Sequence, residues 1–308
     1  MRIYSYSRRD SVPNFGDELN NWLWRELLPD LDIQDANNNY ILVGIGTVLN
    51  NKLKERIGEH HKAFIFSSGA GYELPLTDLP SHWKTYCVRG PLTAKLLGLS
   101  KESAITDAGI LLRRFYSLPE DRSLSMPGFM PHVHHAVFAG DDWSSICDLA
   151  GIKYIDPRWP VEQVMREIQS CKLLLAEAMH GAITADAVGV PWIPIVTSPR
   201  ILPFKWQDWC ASIQQLYSPE RLPVLNPQYP RYGRGLRSGL NSVSHWSRVL
   251  IQKNWSLSKD QHASMAESLR RIAEKGHPML SDRTLMENLT QALEAKLNQM
   301  QEDISSLN

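Results

Sequence analysis

Short apolar runs alternate with amphipathic stretches through most of this chain, and no other feature constrains its architecture as much. Strand and helix in strict alternation build parallel sheets with helices on their faces. In the first part, strands are expected near Arg2–Ser7, Tyr40–Val43, Ala63–Ser67 and Thr85–Val88. Helices fit near Asp17–Leu27, Thr47–Ile57 and Pro91–Leu97. Pro91 suits a first helical turn, where the N–H it lacks would have no partner anyway. The polar stretch Leu118–Gly128, with Pro119 and Pro127, reads as a linker. The pattern then restarts with helix Asp141–Ala150, strand Lys153–Ile155, helix Pro160–Ser170 and strand Leu173–Ala176. Helix Met179–Val188, closed by Gly189, and strand Trp192–Val196 follow. Two β/α units are therefore expected, over residues 1–117 and 129–225, joined by 118–128 and followed by a tail over 226–308.

With 308 residues, 43% of them hydrophobic, the chain can fill two cores. Its 33 Lys and Arg balance 33 Asp and Glu, which argues against a nucleic-acid binder but not against a small anionic ligand. No run approaches the roughly 20 apolar residues of a membrane span. The apolar stretch Leu173–Val196 is broken by Glu177, His180 and Asp186, and Met1–Tyr6 has no apolar leader behind it. Cys87, Cys147, Cys171 and Cys210 are widely spaced, as reduced thiols of a cytoplasmic protein would be.

Four segments, the second of them a pair of glycine turns, fall where a strand gives way to a helix, which is where ligands of parallel sheets sit. In Asn14-Phe15-Gly16-Asp17, Gly16 lets backbone approach a ligand, and the next helix offers N–H groups to an anion; Asn14 or Asp17 could equally be a helix cap. Gly44-Ile45-Gly46-Thr47 and Ser68-Gly69-Ala70-Gly71 resemble phosphate-cradling turns, although tight packing explains such glycines as well, and Leu49 breaks a full dinucleotide fingerprint. Arg89, between a buried strand and Gly90-Pro91, is placed either to grip a carboxylate or phosphate or to pair with an acid such as Asp107. His180 opens a helix beside Gly181, as a proton-exchanging or a structural histidine would. His60, His61, His132, His134 and His135 form no metal-ligand spacing with a carboxylate, so no metal is expected.

Taken in order, seven segments resemble the polysaccharide pyruvyl transferase family, nearest to enzymes that ketalise succinoglycan- and xanthan-type exopolysaccharides. They are Asn14–Asn20, Gly44–Leu49, Gly69–Gly71, Val88–Leu97, Ile105–Leu112, Glu177–Pro191 and Phe204–Trp209, within residues 1–225. The resemblance implies two Rossmann-like domains facing across a cleft, as in B-type glycosyltransferases, with the acceptor and part of the donor site on the first and the donor on the second. It implies phosphoenolpyruvate as co-substrate, no other cofactor, and a saccharide acceptor, lipid-linked in this reading. Functional positions fall on Asp17, Arg89 and His180, with Asn14, Gly16, Gly46, Gly69, Glu177, Ala178 and Met179 lining the substrates. Many relatives carry arginine where this chain has Ala178, so Lys205 and His132 become candidates for the donor's charge. A nucleotide-sugar glycosyltransferase or a non-catalytic scaffold are the alternatives.

The tail has its own character. Asn226–Trp255 carries Arg231, Arg234, Arg237, Arg248 and Lys253 and no acid, a candidate for peripheral contact with the inner membrane face or a polyprenyl-diphosphate. Leu285, Leu289, Leu293, Leu297, Met300, Ile304 and Leu307 make one apolar stripe, to be covered by the chain's own domains or by a second copy.

Overall fold

The computed structural model describes residues 1–6, 10–29, 40–58, 60–76, 78–117, 125–139, 141–197, 201–223, 225 and 257–306. It is a mixed α/β structure with two parallel sheets. Strands β1 (Arg2–Tyr4), β2 (Tyr40–Val43), β3 (Lys62–Ser68) and β4 (Lys84–Val88) lie in sequence order in the first. Helices α1 (Phe15–Leu27), α2 (Leu53–Ile57) and α3 (Pro91–Leu96) and a 3₁₀ helix, Ala108–Arg114, surround it. The second sheet holds β5 (Met126–Met130), β6 (Lys153–Tyr154), β7 (Cys171–Ala176), β8 (Trp192–Val196) and β9 (Glu220–Arg221) in the order β6-β5-β7-β8-β9. Its helices are α4 (Val133–Ala139), α5 (Asp142–Ala150), α6 (Val161–Gln169), α7 (Met179–Val188) and α8 (Pro203–Ser212). Two longer helices follow, α9 (Lys259–Lys275) and α10 (Arg283–Ser305).

Two expectations change, and the alternatives left open for the apolar stripe are decided. The linker was expected to run through Gly128, yet Met126–Gly128 already belong to β5. Pro127 is tolerated there because the β5–β7 register shifts between Met126 and Pro127, and β6 pairs only from Gly128 on. The helix expected over Thr47–Ile57 begins only at Leu53, because the Leu49 N–H bonds Gly69 O at 3.1 Å and Asn50 bridges to Pro75. The apolar stripe of α10 is covered by the chain itself. Leu293, Leu297, Met300 and Ile304 join the main core, and polar ties flank them: Arg113 to Glu287 at 2.8 Å, Arg114 to Glu294 at 2.7 Å, and Tyr86 to Asp303 at 2.6 Å. Leu307 and the basic segment Asn226–Trp255 lie outside the described residues.

Helix α7 decides where the two sheets meet. Every residue in it except His180 is buried, and a helix apolar all round must be packed on all sides. It touches β7, β8 and α6 on one side, and α1 and the 3₁₀ helix on the other. One hydrophobic cluster accordingly runs unbroken from Phe15, Leu19 and Leu23 through Met179, Ile183 and Val164 to Met300. Helix α8 crosses in the same way from the second half onto α3. Among the described residues, no helix is long and apolar enough to cross a membrane.

Candidate active site

The second sheet has a topological switch point. From β5 the chain moves outward to β6, then crosses back to β7 on the other side, and parallel sheets place their ligand crevice beyond the carboxyl ends of the two strands at such a point, here β5 and β7. His132 follows β5, and Glu177 to His180 follow β7. The sequence thus sends its most chemically capable loop to the place where parallel sheets bind ligands.

Glu177 anchors this crevice. Its carboxylate is fully buried and accepts from the His132 N–H at 3.0 Å, the Thr197 N–H at 3.0 Å and the Thr197 hydroxyl at 2.6 Å, and it pairs with His135 Nδ1. Burial alone pushes its pKa up. The charge and hydrogen bond of His135, with the donors from Thr197 and His132, outweigh that and hold it below its ordinary value. Loops after β5, β7 and β8 are fastened to one carboxylate, so Glu177 shapes the crevice from behind. Neither His135 nor Thr197 stood out in the sequence.

Next along, α7 begins. Ala178 is its N-cap and makes no side-chain cap, leaving first-turn N–H groups to serve an anion. Met179 is buried and His180 partly open, with 16% of its side chain exposed. Its Nδ1 edge lies against Gly16 at the start of α1, where any Cβ would collide with the ring. Asn14, the N-cap of α1, donates to Asp17 Oδ2 at 2.8 Å. The structure thus gathers Asn14, Gly16, Asp17, Ala178, Met179 and His180 where two helix N-termini, one from each half, converge.

A second group closes the carboxyl end of the first sheet. Arg89 has no exposed surface, and its guanidinium is committed to the protein. Nε donates to Asp208 Oδ2 at 3.0 Å, Nη1 to Thr47 Oγ1 at 2.7 Å and Nη2 to Ala70 O at 3.0 Å. The acid is Asp208 of α8, not Asp107. Asp208 also accepts from the Thr93 N–H at 2.9 Å and the Thr93 hydroxyl at 2.6 Å. Gly69 faces the guanidinium so closely that a Cβ would overlap it, and its N–H bonds Gly46 O at 2.8 Å. The arginine expected to meet a ligand directly therefore binds both glycine turns and α8 into one unit.

Lys205 lies one turn before Asp208. It is 8% exposed, its Nζ sits 5.6 Å from the centre of the Tyr72 ring, and no described acid pairs with it. A nearly buried ammonium without a carboxylate suits a ligand that brings the negative charge. No group of three or more His, Cys, Asp or Glu able to hold a metal occurs among the described residues.

Comparison with known proteins identifies the family. The polysaccharide pyruvyl transferase family model matches residues 14–199, and the chain belongs to that family. Over 212 residues it is 42% identical to the succinoglycan biosynthesis protein ExoV of Rhizobium meliloti (strain 1021). That alignment spans 68% of this chain and 65% of the relative's length. No solved structure matches.

Proposed function

We propose that the chain transfers the enolpyruvyl group of phosphoenolpyruvate to a saccharide, closing a pyruvate ketal across two hydroxyls and releasing phosphate. In this reading the acceptor is an exopolysaccharide residue or its lipid-linked precursor, met in the cytoplasm at the inner membrane face, and phosphoenolpyruvate is a co-substrate. The two sheets serve as halves of an arrangement like that of B-type glycosyltransferases, divided at residues 118–128. Residues 1–117 carry the acceptor and part of the donor site, and residues 129–225 carry the donor.

The observation that carries the proposal is His180, partly open at the uncapped start of α7 and beside the switch-point crevice. Phosphoenolpyruvate needs cations and N–H donors for its carboxylate and phosphate, and Lys205, His132 and the first turn of α7 supply them. His180 gives a proton to the methylene carbon as the first sugar oxygen bonds to the adjacent carbon, and then takes that hydroxyl's proton. Phosphate leaves with the C–O electron pair, the second sugar oxygen takes its place, and the second hydroxyl proton ends on phosphate. One hydroxyl proton thus completes the new methyl group and the other leaves with phosphate. Asp17 and Asn14, across from the ring, orient the acceptor, while Arg89 holds the turns of Gly46 and Gly69 in place.

The test is incubation of the protein with phosphoenolpyruvate and a panel of synthetic and lipid-linked oligosaccharides. Phosphate release together with the mass gain of one pyruvate ketal is expected. Consumption of a nucleotide sugar, with phosphoenolpyruvate untouched, would select glycosyl transfer instead.

A further inference from the structure

His180 has two ring nitrogens in different surroundings. Nε2 is sealed from solvent and makes no hydrogen bond, whereas Nδ1 lies toward Gly16 and the start of α1. The acid nearest Nε2 is Asp107, whose Oδ2 is 3.8 Å away and is likewise sealed and without a partner. Two facing polar atoms, each unsatisfied in a dry pocket, are an arrangement that native proteins rarely keep without a use.

The acid is the fixed member. Asp107 Oδ1 accepts from the Gly109 N–H at 2.9 Å, capping the 3₁₀ helix, so the carboxylate cannot swing away. The flanking backbone is pinned as well. Ser67 Oγ donates to Thr106 O at 2.7 Å and accepts from the Ala108 N–H. Ser67 itself is held at φ 66°, a left-handed conformation that a serine adopts only when its surroundings demand it. The ring belongs to the second half and the acid to the first, and a closure of about 1 Å makes the hydrogen bond.

We propose that Asp107 is the positioning acid of His180, holding the ring as its Nε2–H tautomer and leaving Nδ1 as the nitrogen that exchanges protons with substrate. A carboxylate only accepts, so the proton between them must sit on Nε2, and the lone pair is then on Nδ1. Gly16 fits this arrangement, since a side chain there would cover Nδ1. The proposal rests on the acid–base role given to His180 above, although the tautomer itself can be measured without turnover.

The experiment uses the full chain labelled with ¹⁵N-histidine, with His180 assigned by comparison with His180→Gln. Long-range ¹H–¹⁵N spectra of the neutral ring should show the proton on Nε2 in the unmodified protein. In Asp107→Asn the carbonyl oxygen can still cap Gly109, but the amide now donates toward Nε2. The proton should move to Nδ1, and kcat should fall by about 10²–10⁴-fold with the KM for phosphoenolpyruvate unchanged. A His180 proton on Nδ1 in the unmodified protein overturns the proposal, and so does an Asp107→Asn variant with unaltered tautomer and turnover. If no acceptor is pyruvylated, the functional reading fails while the tautomer still decides this one. If Asp107→Asn does not fold, the spectrum of the unmodified protein decides it.

Discussion

Replacing Arg89 by alanine tests how far a buried cation can be read as a ligand-binding group. Arg89 and Asp208 are both wholly buried, and the guanidinium makes three hydrogen bonds, one of them the ion pair. Removing one partner of such a pair strands the other charge and costs about 3–5 kcal/mol. Asp208 keeps two donors from Thr93, which places the loss toward the lower end. That is a large part of the 5–15 kcal/mol by which a typical domain is stable, and lowers its melting temperature by roughly 10 °C. Asp208→Asn added to Arg89→Ala should cost less than the sum of the two. Asparagine removes the stranded charge and keeps an oxygen for Thr93, so the coupling should be of order 1–3 kcal/mol. Urea unfolding of the two single variants and the double variant measures this, with phosphoenolpyruvate affinity by calorimetry alongside. If Arg89→Ala melts normally while donor affinity collapses, the guanidinium meets the ligand directly and the reasoning is wrong.

Three further outcomes are expected. His180→Ala should bind phosphoenolpyruvate nearly as before yet turn over about 10²–10⁴-fold more slowly in single-turnover assays; an equal loss of affinity would make the histidine a phosphate ligand. Lys205→Met should weaken donor binding by about 10–100-fold, the scale of losing a charged hydrogen bond, without lowering the melting temperature, because no described acid is left stranded. A lowered melting temperature with unchanged affinity would show Lys205 to be structural. Glu177 has a native pKa below its ordinary 4.5, so its stabilisation is full above that value and is lost as pH falls through the native one. Glu177→Gln should therefore melt lower near neutral pH and show a flatter decline below pH 4.5; an unchanged pH profile in a melting series would contradict this.

What the sequence revealed depended on whether the controlling forces were local. Helix α7 and strand β8 have the bounds read from their apolar runs, because Gly189 stops the helix and both elements are buried on nearly every side. Strand β5 was hidden because Pro127 and Gly128 look like linker residues, and only the neighbouring strands make them sheet. Helix α8 lacks an amphipathic period, since Trp206, Trp209 and Asp208 are buried together against Trp192 and α3. Likewise, four candidate site segments were legible as loops after strands, but not their partners. Asp208 lies 119 positions from Arg89, and nothing near Asp107 announces that it faces His180.

Helix α10 also has a consequence in time. Helix α10 packs on β4, where Lys84 and Tyr86 both bind Asp303 and Tyr86 shares one apolar cluster with Met300 and Ile304. Lys84 and Asp303 stand 219 positions apart. A ribosome adding about 5–20 residues each second leaves that contact unmade for roughly 10–40 s. Until α10 emerges, a nascent chain presents to its neighbours on the same message the apolar surface that Met300 and Ile304 later cover, and such surface promotes aggregation. The last helix thus sets a deadline for the birth of each molecule, and slow translation late in the message would lengthen the exposure.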